Sequence, residues 1–389
     1  MFLAVVLVVG AGIAYVTWWS RQPRRMTGNF NIAVAEFVQT GEADPVASIV
    51  SQRIFSFLDG QYSQISFENV QVVHNKIGVI VGAEEASTLA EKIDAHVVVY
   101  GDVTVIDDQV LVTPQFYVVE SHQSDVGELS GEQELAACIS LPKEDLVNPS
   151  PEALKKMEES SKILTEFTKA LVYSAAGRSG DLELARESIE AAIAEGESYG
   201  DFAGKEVLYL IASDIARRQK HLNEAQAYLG QAKALNENYG RGYVAEANIY
   251  YDQGNLYKAI KVYGKAKELK DQPFGAYIVE KASWGIGNSY MSQFGHVIRN
   301  EPVDWTGAIE LANCALDNYQ VVIDSYLQRS SPEASLREAA AWAYYYSGVI
   351  YQETEQGEIA RQVLEQASRL TDNPDLAKKA RDRLDELRK

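Results

Sequence analysis

A repeated pattern of small and aromatic residues in the second half of the chain limits its fold more than any other sequence feature. Three segments, ending at Ala185, Ala225 and Ala259, each contain a turn residue, an aliphatic or aromatic residue and then the alanine. The last two alanines lie 34 positions apart. A period of this length is typical of stacked helical hairpins, which bury a continuous core only when several units pack together. The sequence therefore predicts an all-α repeat region over residues 151–374.

The repeat that begins near residue 240 has the fullest pattern, and it resembles the tetratricopeptide (TPR) family. Small residues stand where the two helices of a hairpin cross closely, and tyrosines fill the gaps between hairpins. The residues of the resemblance are Tyr243, Tyr250, Gly254, Ala259, Tyr263 and Ala266. The resemblance implies about five hairpins over residues 151–374, stacked into a right-handed superhelix, with residues 375–389 as a charged capping helix.

The resemblance also implies a binding face, because the first helices of such hairpins line the concave side of the superhelix. Their register predicts a groove for a protein or peptide partner. The predicted groove residues are Asp214, Arg217, Arg218, Asn248, Tyr251, Lys281, Trp284, Asn288 and Tyr345. Chaperone-binding relatives have Lys and Asn at two positions of the first hairpin where this chain has Ala170 and Ser174. This difference argues against capture of an acidic chaperone tail.

A small α/β domain is predicted over residues 29–121, ahead of the repeats. Runs of β-branched and aromatic residues indicate strands, and apolar residues spaced three or four apart indicate helices. The predicted order is a strand at 30–37, a helix at 45–60, a strand at 67–73, a helix at 83–95 and a hairpin of strands at 96–106 and 110–119. Pro114 predicts that the last strand lies at a sheet edge or contains a bulge.

This order of elements resembles the TolB-like N-terminal domain (TolB-N-like), a module related to flagellar-assembly and curli-export lipoproteins. The resemblance rests on residues 32–37 and 89–103, which read IAVAEF and LAEKIDAHVVVYGDV. It implies no catalytic residue and no settled ligand. In such proteins the module often stands beside a membrane segment and ahead of tetratricopeptide repeats.

Residues 1–20 predict a transmembrane anchor. Residues 2–19 contain no charged side chain, and an 18-residue helix spans about 27 Å, close to the hydrocarbon thickness of a bilayer. Trp18 and Trp19 stand where an interfacial aromatic belt would lie, and a basic juxtamembrane linker follows at 21–28. A cleaved signal peptide is the alternative, but the two bulky tryptophans occupy the place of its small-residue cleavage site.

The orientation of this anchor depends on Arg21, Arg24 and Arg25, which follow the apolar segment directly. Arginines on this flank favour a cytoplasmic body and an outside N-terminus. A start codon further upstream that added basic residues would reverse the expectation.

The formal charge of −19 is concentrated in the first half of the chain. Residues 26–150 contain 19 acidic and four basic side chains. Residues 122–150 form a predicted acidic linker, bounded by the prolines at 149 and 151. An acidic surface repels phosphate backbones, so we predict no nucleic-acid partner.

No motif for catalysis, a metal ion or a cofactor is recognisable. The five histidines are scattered without the spacing of metal ligands, and acidic pairs such as Glu84 and Glu85 are adjacent, so their side chains diverge. Cys138 and Cys314 lie 176 positions apart, and two buried thiols are favoured over one disulfide. We therefore predict no catalytic residue, no metal site and no cofactor.

Two functions follow from this multidomain architecture of transmembrane helix, α/β domain and TPR superhelix. The leading one is a non-enzymatic, membrane-tethered scaffold or adaptor that binds a protein or peptide through the concave face. The alternative is a membrane-anchored sensor in which the α/β domain binds a small ligand. The sequence leaves the partner's identity and homo-oligomerisation open.

Overall fold

The chain forms two compact units in a computed structural model. The structure describes residues 23–41, 46–62, 69–74, 76–119, 129–134, 139–146, 150–176, 179–199, 204–269, 272–330 and 332–388. The first unit contains the described parts of residues 1–120, 129–211 and 273–275, and the second those of 212–272 and 276–389. The predicted anchor at residues 2–19 lies outside the described residues. Among the described helices, none is long and apolar enough to cross a membrane.

The first unit is built on a sheet that contains seven strands in the described residues. The strands are β1 Phe30–Val34, β2 Val38–Thr40, β3 Val70–Val73, β4 Val97–Ile106, β5 Gln109–Val118, β6 Gly131–Glu134 and β7 Ile139–Pro142. Their order is β3-β1-β4-β5-β6, with β2 beside β4 and β7 beside β5. β1 pairs in parallel with β3 and β4, whereas β4 and β5 form an antiparallel hairpin. The predicted order of strands and helices is confirmed in this unit.

Helices cover both faces of this sheet. They are α1 Val46–Tyr62, α2 Ala83–Ile93 and, further along the chain, α3 Pro151–Ala176. α2 places Ala90 and Ile93 in one core with Tyr117 of β5. Because successive strand residues point to opposite faces, the neighbouring Phe116 points the other way, where its ring lies 5.7 Å from that of Phe167 on α3. The first helix of the predicted repeat region is therefore part of the sheet's core.

The single strand predicted at 30–37 is divided into β1 and β2. The Glu36 amide donates to the carbonyl of Gly78 at 3.2 Å, and the Phe37 amide donates to Ser51 Oγ on α1 at 3.0 Å. Both amides bond outside the β1–β4 ladder, so the regular pairing is interrupted there. Sequence alone missed the break because an apolar run does not show which backbone groups a distant loop will satisfy.

The predicted acidic linker at 122–150 contains two strands instead of being free chain throughout. β6 pairs with residues 115–118 of β5, and β7 pairs with residues 109–112. These pairings satisfy backbone N–H and C=O groups of β5 that would otherwise be unpaired on this side of the strand. Each of the two strands has only four residues, which is too short for an alternating pattern to be recognised.

Pro114 lies between the two segments of β5 that pair with β6 and β7. Proline has no N–H to donate to a ladder. Because neither β6 nor β7 pairs with β5 at residues 113 and 114, no hydrogen bond to these two strands is lost there. β5 has neighbours on both sides over residues 109–112 and 115–118, so of the two predicted alternatives, an edge strand or a bulge, the edge strand is wrong. Opposite Pro114, Gly101 has a φ of +152°, and a Cβ there would lie 2.2 Å from the carbonyl oxygen of Thr113.

The predicted juxtamembrane linker at 21–28 is held against the first unit in its described part. Met26 is 2 % exposed, and its amide donates to the carbonyl of Ile93 at 2.7 Å. Arg25 forms an exposed ion pair with Asp94 at 3.3 Å. From Arg25 onward the described part of this segment therefore packs on the first unit, where burial of the Met26 side chain is favourable.

The rest of the chain consists of helices arranged as hairpins. They are α4 Ser179–Tyr199, α5 Lys205–Arg218, α6 Leu222–Leu235, α7 Gly240–Asp252, α8 Leu256–Glu268, α9 Ile278–Val297, α10 Trp305–Leu327, α11 Ala334–Glu353, α12 Gly357–Leu370 and α13 Pro374–Glu386. In the predicted repeat register, the odd-numbered helices from α3 to α11 are first helices and the even-numbered ones from α4 to α12 are second helices. Among the described residues, α3 packs with α4, α7 with α8, α9 with α10 and α11 with α12. α13 follows α12 in the described chain.

Small residues in the second unit stand at the close crossings that the pattern predicts. Ala259 and Ala266 of α8 are completely buried. A Cβ at Gly285 would lie 2.2 Å from the ring of Tyr263, and one at Gly287 would lie 2.7 Å from the ring of Tyr319. Glycine is therefore required at both positions of α9, because each tyrosine ring fills the space that a side chain would need.

Candidate functional site

Five aromatic rings meet between α9, α10 and α11 of the second unit. This aromatic cluster consists of Trp284, Tyr319, Trp342, Tyr345 and Tyr346. Its centre is Tyr346, whose ring centroid lies 5.4 to 6.0 Å from those of the other four. Trp284 also contacts Tyr319 at 5.5 Å, and Trp342 meets Tyr345 edge to face at 5.9 Å. Tyr319 is fully buried at the base, whereas the other four side chains are half-buried.

Two tyrosines of second helices hold two of the predicted groove asparagines. Tyr319 Oη donates to Asn288 Oδ1 at 2.8 Å, and Tyr263 Oη donates to Asn248 Oδ1. Each tyrosine belongs to the second helix of the hairpin whose first helix bears its asparagine. Burial raises the pKa of Tyr319 well above its ordinary value, so its hydroxyl keeps its proton and remains a donor. The carbonyl end of each carboxamide is thus fixed toward the hairpin core.

Polar contacts join successive first helices along the same side. Tyr251 Oη of α7 lies 3.2 Å from Ser292 Oγ of α9. Arg217 of α5 donates to Asp252 of α7 and to Asp214 of its own helix, both at 3.1 Å. These contacts place side chains of α5, α7 and α9 next to one another in the order that the repeat register predicts.

The predicted groove residues differ in their burial and in the contacts that each side chain makes within the protein. Asp214 is buried and pairs with Arg217, and Arg218 Nη1 lies 4.0 Å from its second oxygen. These three residues therefore form an internal ion-pair group. Lys281 is half-buried on α9. Trp284, Asn288 and Tyr345 come together at the aromatic cluster, with Tyr251 on the neighbouring α7.

Three members of this site, Tyr319, Trp342 and Tyr346, were not predicted by the repeat register. Trp342 and Tyr346 stand one turn apart on α11 and therefore share a face of that helix. Three tyrosines in succession follow Trp342 and Ala343 on this first helix, and this dense aromatic run was the available signal. Tyr319 could not be found by register, because its hairpin contains a second helix of 23 residues instead of the 13 of α8.

The described residues contain no group of three or more histidine, cysteine or acidic side chains arranged to hold a metal ion. Cys314 is a half-buried free thiol on α10. Cys138 lies outside the described residues.

Comparison with known proteins identifies a tetratricopeptide repeat within the second unit. The sequence model of the family described as tetratricopeptide repeat matches residues 240–273, which contain α7 and α8. This match identifies one repeat of the class, and the family resemblance of the other hairpins rests on their own pattern. No curated protein matches the sequence.

Several solved structures are similar to this chain. One is YrrB, a TPR protein with an unusual peptide-binding site, at 18 % identity over 59 % of this chain and 97 % of that one, with a TM-score of 0.36. A second is a putative kinesin light chain from Podosopora anserina with nearly identical TPR-like repeats, at 13 % identity over 52 % and 92 %, with a TM-score of 0.37. A third is the apo form of RapI, at 18 % identity over 63 % of both chains, with a TM-score of 0.38.

Proposed function

We propose that this chain is a non-enzymatic scaffold that binds a protein or peptide through the first-helix face of its second unit. The observation that supports this proposal is the convergence of Trp284, Asn288 and Tyr345 at one place on α9 and α11. Tryptophan and tyrosine are enriched among the residues that dominate binding energy at protein interfaces. Their half-buried rings are already packed against one another, so little side-chain freedom is lost when a partner covers them.

The asparagine beside the cluster supplies polar recognition in this proposal. Because Tyr319 holds Asn288 Oδ1, the other end of the carboxamide is an NH₂ donor. A donor of this kind fits the backbone carbonyl of an extended segment. Apolar area from the rings and a directed hydrogen bond from the amide are the two contributions expected of a peptide site.

A selection of random linear peptides on the full chain in detergent micelles tests the proposal. For peptides obtained in this way, Asn288→Ala and Tyr345→Ala should each weaken binding by about tenfold or more. Trp305→Ala is the matched control, since Trp305 is half-exposed on the second helix α10 and lies outside the cluster. Peptides whose affinity is unaffected by both cluster variants, or is reduced equally by Trp305→Ala, would refute this face as the binding site.

We further propose that residues 2–19 tether this scaffold to a membrane with its body on the cytoplasmic side. The uncharged apolar segment and the arginines that follow it support both parts of the proposal. Deletion of residues 2–19 should move the protein from the membrane fraction to the supernatant after an alkaline carbonate wash. A C-terminal reporter that is active only in the cytoplasm checks the orientation. If this reporter is inactive and a reporter that is active only after export works in its place, the body lies on the opposite side of the membrane.

A further inference from the structure

The free chain already places a cation on the aromatic cluster. Lys379 of α13 lies with its Nζ 5.1 Å from the centroid of the Trp342 ring. Within the described residues, no carboxylate pairs with Lys379. The faces of indole rings are electron-rich and attract ammonium and guanidinium groups at this distance. The contact therefore shows which chemistry this face of α11 accepts.

A carboxylate stands on the same side of α11 as Trp342. Glu338 stands one turn before Trp342, so the two side chains are neighbours on the helix surface. Its two oxygens are 2.7 Å from the hydroxyl of Thr371. In the part of the chain that the structure describes, no lysine or arginine pairs with Glu338. A half-buried carboxylate that is hydrogen-bonded only to a neutral hydroxyl gains from a nearby positive charge.

We infer that Trp342, Tyr345 and Glu338 form a subsite for a lysine or arginine side chain of the partner, and that Lys379 occupies the Trp342 part of this subsite in the free chain. The inference deepens the proposed function, on which it rests, by naming the partner's chemistry as cationic. Lys379 is exposed at the surface of α13, so a partner's cation can displace it without unfolding the helix.

The experiment uses the full chain in micelles with ¹⁵N-labelled tryptophan and N-acetyl-arginine methylamide as the probe. Trp342→Phe assigns the indole signal of Trp342. The probe should shift this signal, and its neutral isostere N-acetyl-citrulline methylamide should leave it in place. Removal of the internal competitor by Lys379→Met should strengthen probe binding about two- to fivefold, as expected for one exposed cation–π contact.

Lys378→Met is the matched control, because Lys378 is the exposed neighbour of Lys379 and its loss changes the net charge equally. It should leave probe binding unchanged. Glu338→Gln should weaken binding of the arginine probe, and this variant retains the shape of the side chain. It therefore tests the subsite even where Trp342→Phe alters the packing of the cluster.

Equal shifts with the arginine and citrulline probes, or equal effects of Lys378→Met and Lys379→Met, would overturn the inference. The peptides selected on the full chain separate this result from failure of the proposed function. Peptides that bind in an Asn288-dependent way but tolerate replacement of every Lys and Arg by Gln would leave the scaffold proposal standing and remove the cationic subsite. Peptides that lose affinity after this replacement, and whose unreplaced forms bind the Lys379→Met variant more tightly, support both.

Discussion

At the residue scale, the second unit depends on pairs of a glycine and a tyrosine. Tyr263 and Tyr319 reach across their hairpins to Asn248 and Asn288, and their rings lie against Gly285 and Gly287. A larger residue at either glycine would displace the ring and, through it, the asparagine. The same residues therefore determine both the helix spacing and the orientation of the predicted groove amides.

The glycine requirement predicts opposite effects of one substitution at two positions of α9. Gly285→Ala should lower the free energy of unfolding by about 1–3 kcal/mol, because its Cβ would overlap the Tyr263 ring. Gly295→Ala should instead raise it by about 0.5–1 kcal/mol, since no described atom beyond its adjacent residues and the local helix backbone lies within 4 Å of that Cβ, and alanine is the better helix former. Urea denaturation of both variants checks this, and equal effects would contradict the packing argument.

The tyrosine hydroxyl predicts a separate effect on binding. Tyr319→Phe keeps the ring but leaves Asn288 Oδ1 without its donor, so we expect about 1 kcal/mol less stability and weaker binding of Asn288-dependent peptides. Combination with Asn288→Ala should add almost no further loss of affinity, because the hydroxyl acts through the amide. Fully additive losses in this double-mutant cycle would show that Tyr319 affects the partner by another route.

Lys267 of α8 predicts a pH dependence of stability. Burial lowers the pKa of its ammonium, and its Nζ lies 3.3 Å from the neutral Asn318 Oδ1. The folded chain therefore loses this proton at a lower pH than the unfolded chain. Between the lowered pKa in the folded chain and about 10.5, the unfolded chain binds more protons than the folded chain. The contribution of Lys267 to the free energy of unfolding should therefore rise with pH over this range.

Lys267→Met removes the cost of the buried charge, so its stability relative to the parent should be highest near neutral pH and decline toward pH 10. The exposed Lys261→Met on the same helix is the control and should show no such trend. Urea denaturation at several pH values measures the difference. A constant difference between Lys267→Met and the parent across this range would contradict the predicted linkage.

At the scale of elements, α13 packs against α12 and α11. Its buried face consists of Leu376, Ala380 and Leu384, whereas its outer face is charged. Arg383 donates to Glu353 of α11 at 3.3 Å, so α13 lies beside the preceding first helix. A helix with one apolar and one charged face shields the apolar residues of α11 and α12 from water on this side.

The N-cap residue of α13 allows a prediction of how the loss of a capping side chain affects stability. Asn373 Oδ1 accepts from the amides of Asp375 and Leu376 at 2.9 and 3.2 Å. Asn373→Ala should lower the free energy of unfolding by about 1 kcal/mol and increase hydrogen exchange throughout α13. Asn373→Asp should preserve both properties, since aspartate is an equally good cap, and a loss as large as that of alanine would argue against the capping role.

At the scale of the whole molecule, the units do not divide at the boundary that composition suggests. The prolines at 149 and 151 predict a boundary near 150, but α3 lies in the first unit, with Phe167 against Phe116. Tyr62 of α1 is also buried close to Thr168 of α3, and this burial raises its pKa above the ordinary value.

This organisation predicts how fragments behave. Residues 23–199 should unfold cooperatively on heating, because they keep α3 on the sheet and α4 on α3. Residues 23–150 should bind a hydrophobic dye and lack a sharp transition, because Phe116 and Tyr62 lose their cover. Differential scanning calorimetry compares the two fragments, and equal cooperativity would show that the sheet needs no helix from beyond residue 150.

The sequence by itself determined the local elements and the repeat. Spacing of Ala225, Ala259 and their neighbours predicts the hairpins, since helix packing depends on which residues recur on one face. The β4–β5 hairpin is equally local, because its two strands follow each other directly. For the site, the same register predicted Trp284, Asn288 and Tyr345 but not the remaining rings.

Only the tertiary structure decided the contacts between residues that are far apart in sequence. It added β6 and β7 to the sheet, buried Met26, placed α3 on the sheet and brought Trp342 and Tyr346 to Trp284 and Tyr319. Each of these features depends on a surface that another segment exposes, such as the open side of β5 or the space above Tyr319. A periodic pattern indicates which face of an element is apolar. Which element packs against that face depends on the shapes of both surfaces and on the backbone groups that remain without hydrogen bonds.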